Sequence, residues 1–392
     1  MSRKRGNGEG SIYLHKRDGV KVGYRGSYTV HTASGPKRRY VTGKTREDVR
    51  KKLTKAMADR DIGLVVDDRN MTVGEYFDAW ISDCVRGTIR ESTFSRDAYL
   101  ITNHIRPALG RIKLGNLNAI HLQGLYRDRL DRGKGGGEGL SGSTVQKIHH
   151  VAHKALDQAV KWDLIPRNPA DSVKAPTPAQ KEMRPLSREE ARAFLEAAKD
   201  DRLHAFYVLA VHTGMRRGEL LGLKWDDVDL DATIPVLRVR RTQTRTENGR
   251  RLALGDVKTK KSRRTIRLTP GSAKALHRHS ARQAEEKLKL GSLYRDHGLV
   301  FAGEIGNLIN PSNLRQRSFT PLLTEAGLAG KGVTFHDLRH TCASLLFQRN
   351  VHPKFVQELL GHASVAITLD TYSHMLPGMG GEAANAIDEA LG

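Results

Sequence analysis

The pattern of hydrophobic and polar positions divides the chain into three parts, of which the first is a small β-rich unit. Three short runs are typical of strands and are separated by turn-forming residues: 10–14, 22–30 and 37–42. Thr45 then has the character of a helix N-cap, with Asp48 three positions later, and the helix runs to about Arg60. Residues 1–66 are therefore predicted to form a three-stranded sheet plus one helix.

The second part has the pattern of an all-helical domain. Thr72 and Glu75 form a capping box that opens the first helix. Further helices are predicted at about 92–106, 118–130 and 143–162, the last with a continuous apolar face. We expect a four-helix domain over 67–172, followed by a proline-containing basic linker over 173–186.

The third part, 187–392, is predicted to be mostly helical with a small antiparallel sheet. A second capping box, Ser187 with Glu190, begins it. Strand signals occur at 234–241, 250–254 and 263–268, and helix signals at 187–199, 203–213, 216–222, 272–289, 311–326, 336–349, 353–360 and 364–374. The predicted fold class is thus a multidomain α+β protein.

The net charge of the chain indicates the kind of partner that it binds. The 392 residues include 66 Lys and Arg against 43 Asp and Glu, a formal net charge of +23, which favours a polyanion. Residues 1–66 carry 17 basic and 6 acidic residues, so about half of the excess lies there. A basic sheet of this size can enter a DNA major groove. In the helical part, Arg96, Lys147, His149, His153 and Lys154 are candidates for DNA contact.

Several classes are disfavoured by what the chain contains. No apolar stretch approaches the roughly 18 residues that a membrane span needs, and the basic start is not followed by an apolar signal segment. The two cysteines, Cys84 and Cys342, cannot make a disulfide framework and are expected to fill cores. We expect a reducing cytoplasm as the location.

Four separated groups in the third part carry candidate chemistry. They are Arg216, Lys258, His336 with Arg339, and His362 with Tyr372. His336 and Arg339 share a helix face behind the N-cap candidate Thr334, where the helix end favours an anion. Together the groups can grip a phosphodiester and present a phenol to it. Each residue alone also has an ordinary structural explanation.

Two details of these groups bear on the chemistry. Lys258 lies in a basic run that can deliver an ammonium proton to a leaving oxygen. A free phenol has a pKa of about 10, so Tyr372 needs neighbouring cations to favour the phenolate. A zinc site at His336 and His340 is disfavoured because Asp337, and not Glu, follows the first histidine.

The order and spacing of these groups resemble the signature boxes of the tyrosine recombinase (phage integrase) family. The matching segments are Thr213-Gly214-Met215-Arg216-Arg217-Gly218-Glu219-Leu220, His336-Asp337-Leu338-Arg339-His340-Thr341, and Leu360-Gly361-His362 with Asp370-Thr371-Tyr372-Ser373-His374. The run Val257–Ile266 resembles the family's β-hairpin lysine segment. The helical part resembles its core-type DNA-binding domain and residues 1–66 its arm-binding domain, so the likeness covers nearly the whole chain.

That resemblance implies a mechanism of DNA strand transfer. Tyr372 would attack a phosphate to give a 3′-phosphotyrosine, and Lys258 would protonate the leaving 5′-hydroxyl. Arg216 and Arg339 would clamp the non-bridging oxygens. His336 would act as base or proton relay, and His362 would hydrogen-bond the phosphate. Neither a cofactor nor a metal ion is required.

The resemblance also implies the partners. These are double-stranded attachment sites of core and arm type, three further copies of the chain in a tetramer on DNA, an excisionase or directionality factor and a host DNA-bending protein. The setting would be the nucleoid of a bacterial host, where a phage or mobile element is integrated and excised. Independently of the resemblance, an apolar stripe of Ala383, Ala384, Ile387 and Leu391 indicates docking on a neighbouring subunit, with packing on its own domain as the alternative.

Two alternatives stay open at this stage. One keeps the same chemistry in a resolvase of replicon dimers or a DNA-relaxing enzyme. The basic N-terminal part disfavours it, because dimer resolution needs no arm-site reader. The other is a DNA-binding regulator without catalysis, which would have no need of Tyr372 beside Arg216, Lys258, His336 and Arg339.

Overall fold

The chain folds into two compact units, 1–180 and 181–392. The computed structural model describes residues 11–17, 20–32, 35–61, 71–132, 138–177, 183–246, 251–257, 262–372 and 391. Some residues singled out from the sequence therefore lie outside the described residues: Lys258, His374, and Ala383, Ala384 and Ile387 of the apolar C-terminal stripe. The helix and strand content is that of a mixed fold with small antiparallel sheets, as the sequence predicted.

The first unit begins with an antiparallel sheet in the order β1-β2-β3. Its strands are β1 (Ser11–Arg17), β2 (Val20–Thr32) and β3 (Gly35–Gly43), followed by helix α1 (Arg46–Asp61). Thr45 caps α1 through its hydroxyl, which accepts a hydrogen bond from the Asp48 amide at 3.1 Å. Tyr28 of β2 packs on Leu53 and Ala56 of α1, which gives this sheet its own small core.

The rest of the first unit is helical around a separate core. Its helices are α2 (Val73–Ala79), α3 (Glu91–Leu100), α4 (Arg106–Leu109), α5 (Ala119–Asp131) and α6 (Gly142–Lys161). The capping box of Thr72 and Glu75 is present, with the Thr72 amide donating to Glu75 at 2.8 Å. His149, a candidate for DNA contact, is instead buried with its Nδ1 3.1 Å from the Tyr126 hydroxyl, because it lies on the apolar face of α6.

The second unit opens with three helices that frame its core. They are α7 (Arg188–Ala197), α8 (His204–Thr213) and α9 (Arg217–Leu221). Every residue of α8 from Ala205 to Val211 is buried, so this helix has no polar face and passes through the middle of the unit. Phe194 and Phe206 pack with rings from later helices in the same core.

Two small antiparallel sheets follow α9. One has the order β4-β5-β8, made of β4 (Val228–Asp229), β5 (Val236–Val239) and β8 (Arg264–Arg267). The other is a hairpin of β6 (Arg241–Thr246) and β7 (Arg251–Asp256). The sequence predicted one strand over 234–241; the chain instead leaves the first sheet after Val239 and enters the hairpin at Arg241.

The remaining helices complete the second unit. They are α10 (Pro270–Leu290), α11 (Pro311–Leu314), α12 (Thr320–Glu325), α13 (Phe335–Phe347), α14 (Pro353–Leu360) and α15 (Val365–Tyr372). The helix predicted over 311–326 is confirmed, since the chain is helical from Pro311 to Glu325, but it contains a wider π-helical turn, Arg315–Phe319. Pro321 has no amide hydrogen for the α-helical ladder, and the wide turn lies directly before it. The same arrangement recurs at Ile101–Ile105 before Pro107.

Among the helices that the structure describes, none has both the length and the apolar character needed to cross a lipid bilayer.

Candidate active site

The buried helix α8 positions the first group of the site. It ends at Gly214, whose φ of +59° belongs to the left-handed region that glycine enters without strain. A Cβ at this position would lie 2.5 Å from Cδ2 of Leu360. The turn therefore lets the end of α8 approach α14 closely and directs the chain into Arg216, the residue before α9.

Arg216 is held by a carboxylate inside the protein. Its Nη1 donates to Oε1 of Glu219 at 2.8 Å, and its backbone amide donates to Oε2 of the same residue at 3.1 Å. Glu219 is 3% exposed, and Arg264 of β8 donates to its Oε2 at 2.9 Å. Burial raises the pKa of Glu219, but the charges and hydrogen bonds of Arg264 and Arg216 together lower it by more. The pKa therefore lies below its ordinary value. The carboxylate is therefore charged and fixes the arginine in place.

Arg339 is the most deeply buried cation of the site, at 2% exposure. Its Nη1 donates to the carbonyl oxygen of Gly214 at 2.8 Å. Its buried Nη2 has no hydrogen-bond partner within the described part of the chain. Burial, followed by the charge of Arg216, lowers the pKa of Arg339 to about 9. A buried donor beside a second guanidinium is costly unless an anion joins them.

His336 lies at the start of α13, one turn before Arg339. Thr334 is the N-cap as predicted, and a capping box with Asp337 fixes the helix start, with the Thr334 amide donating to Oδ2 at 2.7 Å. Partial burial, and then Arg339 and Arg216, lower the pKa of His336. Its ring packs edge to face on His340, with centroids 4.8 Å apart.

His362 follows α14 at a second glycine turn, Gly361, whose φ is +67°. Its Nδ1 lies 2.8 Å from the Thr368 hydroxyl of α15, and its carbonyl accepts from the Gln357 side chain at 2.6 Å. Burial, followed by the charges of Arg339 and Arg216, lowers the pKa of His362 to about 4. The imidazole is neutral near pH 7, and when Thr368 donates to Nδ1 the ring carries its hydrogen on Nε2.

Tyr372 is the last residue of α15 and is 1% exposed. Its ring packs on Phe347, with centroids 5.8 Å apart, and its hydroxyl lies 2.7 Å from Nδ1 of His340. Burial raises the pKa of Tyr372 to about 12, although Arg339 and Arg216 act in the opposite direction. Within one chain, the tyrosine thus lies in the electrostatic range of both arginines.

Five of the six residues singled out from the sequence come together in this site. The sixth, Lys258, lies outside the described residues, between β7 and β8. Two further residues were not anticipated there. In the sequence Arg264 is one of several basic residues that follow Lys258, and His340 is weighed only as a possible zinc ligand. The sequence signals beside them are a glutamate at 219 that could hold nearby arginines and a second histidine on α13, and neither singles out Arg264 or His340.

A basic cleft adjoins the site. It has a volume of about 810 Å³ and is lined by the side chains of Arg217, Arg245 and Arg315, together with the hairpin residue Thr244. A smaller cavity of about 260 Å³ shares Arg217 and Arg315 with the cleft and reaches His336. Partial burial, and then Arg245 and Arg315, lower the pKa of Arg217. Positive charge therefore extends from the site along one side of the unit.

A separate cluster of potential metal ligands lies on the helical part of the first unit. His153 contacts Asp157 through Nδ1 at 3.1 Å and Asp171 through Nε2 at 2.8 Å. Both ring nitrogens are thus occupied by carboxylates, which accounts for the cluster without an ion. His153 is a candidate for DNA contact, and these two carboxylates give its ring local partners within the protein.

Comparison with known proteins identifies relatives of the whole chain. It is 34% identical over 357 residues to a tyrosine recombinase XerC-like protein of Caldanaerobacter subterraneus subsp. tengcongensis, covering 87% of this chain and 88% of that protein. It is 29% identical to an integrase of Streptomyces ambofaciens, covering 95% and 94%. Among solved structures, the Tn1549 transposon integrase in complex with circular intermediate DNA superposes with a TM-score of 0.65 at 20% identity, covering 82% of this chain and 100% of the other.

Family models agree with these relatives. The model of the phage integrase family matches residues 184–378, and the model of a phage integrase N-terminal SAM-like domain matches residues 72–130. A lambda integrase chain, from a tetramer bound to a Holliday junction, shares the fold with a TM-score of 0.55 at 20% identity, covering 92% and 97%. With the arginines, histidines and buried tyrosine in one site, the chain belongs to the phage integrase family and is a tyrosine recombinase that carries out site-specific DNA recombination.

Proposed function

We propose that this recombinase is the integrase of a phage or integrative element, and that its active site consists of Arg216, Lys258, His336, Arg339, His362 and Tyr372. The observation that carries the site assignment is the buried guanidinium of Arg339. One of its terminal nitrogens has no partner among the described residues, and Arg216 stands beside it. A phosphodiester placed between the two would supply the missing acceptor and would add negative charge beside both guanidiniums.

The reaction would proceed by transfer of a phosphoryl group to tyrosine. The Tyr372 oxygen attacks phosphorus, the bond to the 5′-oxygen breaks, and a 3′-phosphotyrosine remains. Arg216 and Arg339 stabilise the charge that grows on the non-bridging oxygens, and Nε2 of His362 donates to one of them. Lys258 supplies the proton to the leaving 5′-oxygen. Attack by a 5′-hydroxyl from another strand then reverses the step without any external energy source.

The rest of the chain would bind the DNA. We assign residues 1–66 to arm-type sites, 67–172 and 187–392 to the core site, and 173–186 to the connection between them. The Tn1549 integrase in complex with circular intermediate DNA supports DNA as the substrate, and the lambda integrase tetramer bound to a Holliday junction supports four copies on a junction. An excisionase or directionality factor and a host bending protein would set the direction, and the setting would be a bacterial nucleoid.

The test uses a covalent adduct as its readout. Core sites are first selected from a random double-stranded library with the Tyr372→Phe variant, which binds without cutting. Nicked suicide substrates of the selected sequence are then incubated with the wild-type chain and resolved under denaturing conditions. We expect a protein–DNA adduct with the wild type, none with Tyr372→Phe, and an undiminished adduct with the control Tyr99→Phe, which changes a tyrosine that is 58% exposed.

Integration is tested separately from cutting. Plasmids carrying two unlike selected sites, with and without arm sequences, are incubated with the chain and a bending protein. Joining of unlike sites that depends on residues 1–66 supports an integrase. Efficient resolution of two identical core sites without any arm sequence would instead support the dimer resolvase.

A further inference from the structure

His340 is the one hydrogen-bond partner of the Tyr372 hydroxyl among the described residues. The two atoms, Nδ1 and Oη, are 2.7 Å apart, and the rings are tilted with centroids 5.6 Å apart. His340 is 9% exposed and Tyr372 1% exposed, so solvent does not compete for the bond. Among the histidines of the site, His340 is thus the one that touches the proposed nucleophile.

The protonation states of the two groups suit this contact. Burial, followed by the neighbouring His336, lowers the pKa of His340 to about 4, so the imidazole is neutral at physiological pH. Burial raises the pKa of Tyr372 to about 12, so the phenol keeps its hydrogen. A neutral imidazole with its hydrogen on Nε2 offers a lone pair at Nδ1. The phenol is then the donor and the imidazole the acceptor.

We propose that His340 is the proton acceptor of the Tyr372 nucleophile and holds the phenol in position for attack. This inference rests on the proposed function. As Oη forms its bond to phosphorus, its hydrogen passes to Nδ1, while the 5′-oxygen leaves with a proton from Lys258. On rejoining, Nδ1 returns the proton to Oη as the phosphotyrosine bond breaks. Burial lowers the pKa of His340 and raises that of Tyr372, which favours movement of the proton while the new bond forms.

The same geometry gives His336 a different task. Its ring lies against that of His340, one helical turn away, and no hydrogen bond to Tyr372 is found for it within the described residues. It therefore supports the His340 ring from the side and stays available to the phosphate. The titratable and charged groups around His340 are His336, Asp337 and Arg339 on its own helix, His362 after α14, and Tyr372 on α15.

The first experiment measures single-turnover cleavage of the nicked substrate by two variants. His340→Phe keeps a ring but removes the acceptor, and we expect cleavage to slow by about 10²–10⁴-fold, the usual contribution of general base catalysis. His340→Asn places an amide oxygen near the position of Nδ1, so it can position the phenol but cannot accept its proton. We expect its cleavage rate to lie between those of the wild type and His340→Phe. DNA affinity should not change. The cleavage rate of both variants should rise with pH more steeply than that of the wild type, because solvent must then take the proton.

The second experiment separates the nucleophile's proton from that of the leaving group. A substrate with a 5′-bridging sulfur needs no acid to release its leaving group. We expect this substrate to restore cleavage by Lys258→Ala and to leave His340→Phe slow. Rescue of His340→Phe to the same extent as Lys258→Ala would assign His340 to the leaving group and overturn the proposal. Should His340→Phe fail to fold, the same comparison is made with His340→Asn.

The outcomes distinguish this inference from the function on which it rests. If the wild-type chain forms no adduct with its selected sites, the proposed active site is wrong. If the wild type forms the adduct and both His340 variants form it at the same rate and with the same pH profile, the active site stands and only the role of His340 is wrong.

Discussion

Nη2 of Arg264 lies 2.9 Å from Oε2 of Glu219, and these side chains are 7% and 3% exposed. The same guanidinium donates from Nε to the carbonyl oxygen of Leu359 at 2.6 Å. One arginine of β8 therefore joins α9, which follows Arg216, to the end of α14, which precedes His362. Neither residue is proposed to touch DNA, yet together they connect the first and the last groups of the active site.

Removal of this arginine should destabilise the second unit strongly. Arg264→Met leaves the Glu219 carboxylate buried with Arg216 as its remaining partner, and breaking a buried pair from one side costs about 3–5 kcal/mol. Urea unfolding measures the loss. The control is the neighbouring Arg263→Met, because Arg263 pairs with Asp256 at 61% and 76% side-chain exposure. A surface change of that kind stays within about 0.5 kcal/mol. Equal stability of the two variants would contradict the structural role of Arg264.

Acid should weaken the same connection in a defined direction. The pKa of Glu219 is lowered from its ordinary value of 4.5. Its charge therefore stabilises the fold above the unfolded pKa, and this contribution is lost as pH falls through the folded pKa. Glu219→Gln should be less stable than the wild type by roughly 1–3 kcal/mol at pH 7. The difference should shrink as the pH is lowered below 4.5, which unfolding curves at several pH values measure. A difference independent of pH would show that the charge of Glu219 is not involved.

The local structure around the site follows from the sequence to a large extent. The Thr334 and Ser187 caps, the bounds of α14 and the helical pattern of α6 are read from short-range signals. These features depend on residues within one or two turns of each other, where capping and periodicity decide the conformation. The six residues were found because their order resembles that of a family.

The parts that were missed depend on contacts between distant segments. Arg264 lies in a run of basic residues, and nothing nearby indicates that Glu219, 45 positions earlier, will bury it. His340 meets Tyr372, 32 positions later, because Tyr372 at the end of α15 packs on Phe347 of α13. The π-helical turn at Arg315–Phe319 is the exception, because Pro321, its cause, is local, whereas the sequence predicted only a helix there.

The two guanidiniums should matter to the chemical step and little to binding. We expect Arg339→Gln and Arg216→Gln each to slow adduct formation by about 10²–10³-fold, the usual effect of removing a donor to a developing oxyanion. Affinity for the selected duplex, measured by fluorescence anisotropy, should stay within a few-fold. Arg349→Gln, an exposed change just beyond the end of α13, is the matched control and should leave both quantities unaltered. A parallel loss of binding and cleavage would indicate that the arginines serve affinity alone.

The basic cleft should be visible in the salt dependence of DNA binding. Arg217 and Arg315 line the cleft, and their positive charges repel each other. A phosphate backbone in the cleft would relieve this repulsion. Each lost phosphate contact reduces the slope of log affinity against log salt by about 0.9. Arg217→Gln and Arg315→Gln should therefore each lower the slope by about 1. Lys289→Gln, an exposed change at the end of α10, should leave the slope unchanged. Unaltered slopes in both arginine variants would place the DNA elsewhere.

The glycine turn at Gly214 should tolerate no side chain, because two separate effects oppose it. An L-residue in the left-handed region costs roughly 1–2 kcal/mol, and a Cβ there would lie 2.5 Å from Cδ2 of Leu360. Gly214→Ala should therefore lower the free energy of unfolding by more than the backbone term alone. When Gly214→Ala is added to the Leu360→Ala protein, the clashing atom is gone. The further loss in the free energy of unfolding should then be about 1–2 kcal/mol, the backbone term alone. Gly124→Ala is the opposite control: Gly124 is exposed inside α5 with open space around it, and alanine should stabilise the helix by about 0.5–1 kcal/mol. If the cost of Gly214→Ala is the same with and without Leu360, then the close approach of α8 and α14 does not explain this glycine.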